Sequence, residues 1–346
     1  MKTKIAIVTP FLSGKGGTET VLSTVLNNDD FLKKFDISLF LMGGVDDRGW
    51  LQNLTKCNVK IGTRNKVVSV LSLVKLILEN KYQKFIFLST KQMRLAFEVR
   101  RFLRHKFEII SWIHFSIFHE KTVRPKYFKY ADKNLAISSG IKRQLIQLGI
   151  AESKIRVIFN PIKRQHQIIK SNQELKCTQI GYVGRIMFEG QKNIKELLDA
   201  VKLLSPRAIE IHFFGSGEVE ICKRYIEEQN IQQDFYWHGW TSKPWKKMKN
   251  LDVLIQTSKF EGFPMVLLES LSYGLPIIAA NCPTGPEDII SKENGYLYSL
   301  GNTEELASII DNYDRKRFDP KCVKESISKF YIDNYIKELC NAIEMG

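Results

Sequence analysis

The chain has 346 residues, 44% of them hydrophobic and 26% charged, an ordinary globular balance with enough length for two domains, each with its own core. Six scattered cysteines, with no Cys-x-x-Cys and no Cys/His grouping, exclude a zinc finger or a disulfide scaffold and lead us to expect reduced cytoplasmic thiols. No apolar run approaches a membrane span and Ile5 to Val8 is too short for the core of a signal peptide, so any membrane attachment is expected to be peripheral. The net charge of +15 is one-sided: residues 1 to 160 carry 28 Lys/Arg against 12 Asp/Glu, net +16, and residues 161 to 346 carry 24 against 25, net −1. A lysine-rich solvated surface would have charged both halves, so the first half is expected to show a basic face to anionic lipid or an acidic substrate.

In chain order the first half alternates short β-branched or aromatic runs with helical patterns. "KIAIVTP" is followed by a helix from about Thr18, then "FDISLFLM", the helix "VVSVLSLVKLILEN", "KFIFLS", the helix "MRLAFEVRRFLRHK" and "EIISWIHF". "KNLAISS", the helix "GIKRQLIQLGI" and "KIRVIFNP" complete this half. Strand, helix, strand in repetition predicts a parallel sheet covered on both faces. At Asn160-Pro161 the pattern breaks into "IKRQHQIIKSNQELK", read as a linker over which two domains close. A second alternation follows, from "TQIGYVGR" through "NIKELLDAVKLL", "AIEIHFFGSG", "EVEICKRYIEEQN", "FYWHGW", "LDVLIQTS" and "PIIAAN" to "TEELASIIDNY". The expected architecture is α/β: two Rossmann-like doubly wound domains facing each other across a cleft, residues 1–160 and 161–320, with a C-terminal helix over 321–346 returning to the first. Ligands of such sheets bind beyond the carboxyl ends of the strands.

Three loops carry candidate chemistry. "PFLSGKGGTETVL" sets Gly14, Gly16 and Gly17 between the first strand and helix, where backbone can approach a phosphate or sugar; a ligand-free βα turn accounts for it equally well. "YVGRIMFEGQKN" places Arg185 past a strand and Lys192 seven residues on, two cations able to neutralise a diphosphate or simply to be solvated. In "FEGFPMVLLESLSYGLPIIAA", Gly262 and Pro264 mark a loop and a helix is predicted to begin near Pro264, with the free N–H groups of Met265 and Val266 facing an anion. Glu261 precedes that helix and Glu269 lies within it, eight positions on, so both carboxylates return to nearly one face. An N-terminal charge effect and an exposed polar face are the plainer readings of the two acids.

The Glu261-x7-Glu269 element resembles that of retaining GT-B glycosyltransferases of family 4. The resemblance spans nearly the whole chain, through "GGTET", "IHF", "AISSGIKRQL", "KIRVIFNPI", "GYVGR" with Lys192, "HFFGSGE", "FYWHGW" and "ENGYLY". It implies that Gly16 and Gly17 approach the donor phosphate, with Glu19 opening the helix behind them. It implies that His114, rather than His119, lies near the donor sugar, and that Arg185 and Lys192 hold the diphosphate. Glu261 would meet the sugar hydroxyls, the backbone of Gly262, Phe263, Pro264, Met265 and Val266 the sugar and phosphate, and Glu269 the ribose. No Asp-x-Asp occurs, so neither a metal nor any other cofactor is expected beyond a nucleotide-sugar substrate.

The implied activity is transfer of a hexose, with retention, from a UDP-linked donor to a glycan or glycolipid acceptor in bacterial cell-surface polysaccharide or lipopolysaccharide synthesis. "NCPTGPEDII" resembles lipopolysaccharide galactosyltransferase-like members and points toward UDP-galactose. The basic helix "MRLAFEVRRFLRHK" and the segment "KTVRPKYFKY" are candidates for an anionic membrane surface, at the inner face of the plasma membrane, and the helix reads equally as an ordinary sheet cover. No nucleic-acid-binding motif is present. An idle glycosyltransferase-like subunit and a UDP-sugar epimerase are the alternatives.

Overall fold

In the computed structural model, which describes residues 2–14, 16–169, 177–205, 208–248 and 250–344, the chain divides into two compact units. Unit 1 comprises residues 1–162 and 330–346, and unit 2 residues 163–329. The divisions fall after Ile162 and Lys329, against the expected Asn160 and residue 321, so residues 321–329 stay with unit 2. Part of the expected linker, residues 170–176, lies outside the described residues.

Unit 1 runs β1 (Thr3–Thr9), α1 (Gly17–Leu26), α2 (Asp29–Lys34), β2 (Phe35–Leu41), β3 (Asn58–Ile61), α3 (Lys66–Leu78), β4 (Lys84–Phe87), α4 (Thr90–Leu103), β5 (Glu108–Ser111), β6 (Lys133–Ala136), α5 (Ser139–Gln147) and β7 (Ile155–Val157). Its seven strands are parallel in the order β3-β2-β1-β4-β5-β6-β7. β1 and β4 are buried apolar runs because helices cover both faces of a parallel sheet. β3, with "NVKI" at an edge, has neither the apolar run nor the strict alternation that would mark it as a strand, and pairing with β2 makes it one. α4 stops at Arg104, whose left-handed φ of 56° ends the helix, so the expected continuation to Lys106 does not form. Its apolar residues Met93 and Ala96 join Leu73, Leu76 and Ile77 of α3 and Phe85 and Phe87 of β4 in one core. α4 is therefore a sheet cover, and its apolar face is not available to a bilayer.

Unit 2 runs β8 (Thr178–Val183), α6 (Ile194–Lys202), β9 (Ile209–Phe214), α7 (Val219–Glu228), β10 (Asp234–Trp237), α8 (Pro244–Lys247), β11 (Val253–Gln256), α9 (Met265–Ser272), β12 (Ile277–Ala280), α10 (Pro286–Ile289), β13 (Gly295–Tyr298), α11 (Thr303–Asp311) and α12 (Pro320–Glu325). The strand order is β10-β9-β8-β11-β12-β13, again parallel. The order reverses between β8 and β11, so the loops leaving those two strands open side by side at a switch point, where doubly wound sheets take their ligands.

The last helix, α13 (Ile332–Glu344), packs against α1 and α2 of unit 1 through an apolar face that includes Ile336, Leu339 and Ile343. Its carboxyl end is held electrostatically: the Ile343 carbonyl accepts from Lys84 Nζ at 2.8 Å and Lys133 Nζ at 3.3 Å. Glu108 pairs with both lysines, to Lys133 at 3.2 Å. One half-buried and one buried cation thus share one carboxylate and one helix terminus. Glu108→Ala leaves them facing each other and is expected to lower stability by about 3 kcal/mol in chemical denaturation. Asp30→Ala, which removes the exposed Lys33 partner, is expected to leave stability almost unchanged because solvent screens the pair. Equal effects of the two substitutions would refute the role given to Glu108.

Candidate active site

The loop after β8 is set by glycines that admit no side chain. Gly184 has a φ of 154°, and a Cβ on Gly215, in the loop after β9, would lie 1.8 Å from the Gly184 carbonyl oxygen. The Tyr182 hydroxyl donates to the Arg185 carbonyl at 2.8 Å and fixes where the loop departs from the strand.

From there the loop is stitched to the one after β11. The Gln191 carbonyl accepts from the Lys259 amide at 2.8 Å, its Nε2 donates to the Phe260 carbonyl at 2.9 Å, and the Thr257 hydroxyl donates to the Lys192 carbonyl at 3.0 Å. This brings Lys192 Nζ to 2.5 Å from Glu261 Oε1, with the two side chains only 17% and 10% exposed. Gln256 Nε2 reaches the same carboxylate oxygen at 3.5 Å. Arg185 is exposed, makes no ion pair among the described residues and is approached by Gln191 Oε1 at 3.4 Å. It is the cation of the pair that remains open to an anion.

Behind the acid, "PTGP" acts as a buttress. The Thr284 hydroxyl donates to the Glu261 carbonyl, and a Cβ on Gly285 would come within 2.3 Å of Pro264 Cδ. Gly285 has a φ of 101°, so both space and backbone favour glycine. α9 begins at Met265 with Pro264 as its N-cap, one position later than Pro264 as first helical residue. The amides of Met265 and Val266 have no acceptor among the described residues, and the buried Phe263 anchors the loop below them. Met265 and Val266 therefore present free donors at a helix N-terminus.

Glu269 has a partner of its own. Its Oε2 accepts from the Trp245 indole at 3.0 Å; burial pushes its carboxyl above the usual range, and that hydrogen bond pulls the other way. Nothing in the local sequence singles out Trp245, in "KPWKK", or Gln191. Each works through a contact between residues distant in the chain, for which local sequence carries no signal.

In unit 1, Gly16 is the N-cap of α1 and Gly17 its first residue. The buried Glu19 folds back so that its carboxylate accepts from the Gly14 amide at 2.7 Å and the Ser13 hydroxyl at 3.3 Å. A Cβ on Gly16 would approach Glu19 Oε2 to 2.7 Å, so the glycine leaves room for this cap. Lys15 lies outside the described residues.

His114, three residues past the end of β5, is half-buried, and both ring nitrogens are sealed from water without a hydrogen-bond partner. Burial drives its pKa down to about 3. It is therefore a neutral imidazole offering one donor and one acceptor. His119 is exposed, its Nδ1 3.0 Å from the Ser116 hydroxyl. Below an ordinary histidine pKa of about 6.5 the unfolded chain binds a proton at residue 114 that the folded chain refuses, so stability falls with pH over that window. In His114→Leu the fall between about pH 6.5 and 4 is expected to be shallower by that one proton; unchanged steepness in pH-dependent denaturation would contradict the neutral assignment.

Among the described residues no cluster of three or more His, Cys, Asp or Glu could hold a metal ion.

Such loops at the switch point of one of two doubly wound sheets are the arrangement of a GT-B glycosyltransferase. Residues 163–322 match the family described as glycosyl transferases group 1. The whole chain is similar to the lipopolysaccharide 1,6-galactosyltransferases of Escherichia coli (strain K12) and Salmonella typhimurium, 34% identical to each with 98% of both chains covered. The solved apo structure of the lipopolysaccharide outer core galactosyltransferase WaaB superposes with a TM-score of 0.88 at 33% identity, covering 99% of each chain. Anabaena HepE in complex with UDP shares the fold, with a TM-score of 0.79 at 17% identity over 99% of each chain. The chain belongs to the glycosyltransferase group 1 family.

Proposed function

We propose that the protein transfers galactose from UDP-galactose to a sugar of a lipopolysaccharide core, with retention of anomeric configuration, at the inner face of the plasma membrane. The observation that carries this reading is the end-to-end similarity to two lipopolysaccharide 1,6-galactosyltransferases, with no large stretch of either chain left over. The built ion pair Lys192–Glu261 and the open cation Arg185 support an active enzyme over an idle subunit.

In the proposed reaction Arg185, Lys192 and the amides of Met265 and Val266 stabilise charge on the departing diphosphate, where the largest electrostatic change falls. Glu261, with Lys192 fixing one of its oxygens, hydrogen-bonds the donor sugar hydroxyls and orients the anomeric carbon. The acceptor oxygen bonds to that carbon on the face from which the phosphate leaves, and a diphosphate oxygen takes the acceptor proton. Glu269 accepts from the ribose.

The test is UDP release and product analysis with truncated lipopolysaccharide core as acceptor and UDP-galactose, UDP-glucose, UDP-N-acetylglucosamine or GDP-mannose as donor. Acceptor-dependent release with UDP-galactose, an α-linked product and a 1,6 linkage are expected. Turnover of a UDP-sugar without acceptor would favour an epimerase, and UDP binding without transfer from any donor would favour the idle subunit.

A further inference from the structure

The lipid-linked acceptor proposed above requires the enzyme to work at a bilayer, and unit 1 carries a surface of matching chemistry on elements other than the buried face of α4. On α3, Val67, Leu71 and Leu78 stand 68%, 62% and 52% exposed. Their spacing of four and seven places them in one stripe along the helix, opposite the buried Leu73, Leu76 and Ile77. Val68 and Val70 widen the stripe. On the last turn of α4, Phe102 is 86% exposed.

The two helices pack against each other and onto the same core, so their outer surfaces belong to one side of unit 1. Exposed apolar side chains at this density are costly in water unless something covers them.

Charge identifies the cover. Residues 60 to 106 contain 12 Lys/Arg and 2 Asp/Glu, a net +10 out of the +15 of the whole chain. Exposed Lys66, Arg101, Arg104 and Lys106 make no ion pair among the described residues, and Lys75 lies within the apolar stripe itself. Apolar side chains among unpaired cations are the chemical complement of an acyl layer beneath anionic headgroups. A bilayer with anionic headgroups takes both: the apolar side chains enter the acyl boundary while lysine and arginine reach up to phosphates.

We infer that the outer face of α3, with Phe102 and the flanking Lys66, Arg101, Arg104 and Lys106, docks the protein on an anionic lipid surface. Both helices stay folded as they are, because their other faces already form the core of unit 1.

The experiment is co-sedimentation of the full chain with vesicles of equal parts phosphatidylglycerol and phosphatidylethanolamine, against pure phosphatidylcholine, at low and high salt. The wild type is expected to pellet with the anionic vesicles only and to be partly released by salt. Val67→Gln with Leu71→Gln and Phe102→Ser is expected to weaken binding about tenfold or more, and Lys66→Glu with Arg101→Glu and Arg104→Glu to remove the salt-sensitive part.

All these side chains are exposed, so both variants should keep the wild-type melting temperature and its shift by UDP. That shift reports on the donor reading independently of the lipid result. Wild type left in the supernatant with anionic vesicles at low salt overturns the inference, as does undiminished binding by the Val67, Leu71 and Phe102 variant. Self-association that disappears in Leu71→Gln, without vesicle binding, assigns the face to a second copy and overturns it equally.

Discussion

Lys192→Ala is expected to lower kcat by about 10²- to 10³-fold at saturating donor, the scale on which removal of one preorganised charge partner to a developing anion acts. Two effects combine in it. One cation proposed for the diphosphate is lost, and Glu261, barely exposed and held at 2.5 Å by Lys192, is left with the amide of Gln256 as its remaining side-chain partner among the described residues. Its carboxylate would then repel the leaving group it now serves through its neighbour. Lys192→Arg tests geometry against charge, because a planar fork replaces a point charge in a loop pinned by Thr257 and Gln191. Arg185→Ala is expected to act mainly on donor KM, since Arg185 is exposed and supports no buried acid. Steady-state kinetics with UDP-galactose separates these. A Lys192→Ala enzyme of normal kcat and reduced melting temperature would show the pair to be structural only.

Glu269→Ala is expected to weaken UDP affinity by about 10- to 100-fold, the worth of one or two hydrogen bonds from ribose hydroxyls to a carboxylate. The same change strips the Trp245 indole of its acceptor, so the melting temperature should fall without ligand as well. Titration of UDP by calorimetry isolates the first effect. The raised carboxyl adds a pH signature: only the ionised form accepts from both hydroxyls, so affinity should decline as pH falls from neutral, starting above the ordinary glutamate range. Glu269→Gln should flatten that decline. For stability the sign is opposite to that of a depressed acid: the folded chain holds the proton more tightly than the unfolded one, so the contribution is lost as pH rises through the raised pKa. Wild-type UDP affinity in Glu269→Ala would remove the residue from the nucleotide site.

Periodicity alone settled that the chain is built of strand-helix repeats, because runs such as "KIAIVTP" and "LDVLIQTS" are buried on both faces and leave an apolar signature in any context. Motif order made Arg185, Lys192, Glu261 and Glu269 readable as candidates, since loops at strand ends carry polar residues that packing does not require. Elements whose state depends on neighbours stayed hidden. β3 is a strand only through β2, and α2 is a six-residue helix held by the Asn28 cap, which accepts from the Asp30 and Phe31 amides.

The amphipathic pattern of "MRLAFEVRRFLRHK" could not say whether its apolar face met a sheet or a membrane; packing on Phe85 and Phe87 decided for the sheet. The exposed stripe on α3 was concealed for the converse reason, as a helix apolar on both sides reads in sequence like one buried on both sides.

What the sequence by itself determined was the class of fold, the one-sided charge and the identity of the polar residues at the loop mouths, all properties of local pattern. Only the tertiary structure decided which of those residues meet. Lys192 and Glu261 are 69 positions apart, and Glu269 and Trp245 are 24, distances that sequence reading does not bridge. The first contact arises because the reversal of strand order between β8 and β11 brings two remote loops together at the carboxyl end of the sheet.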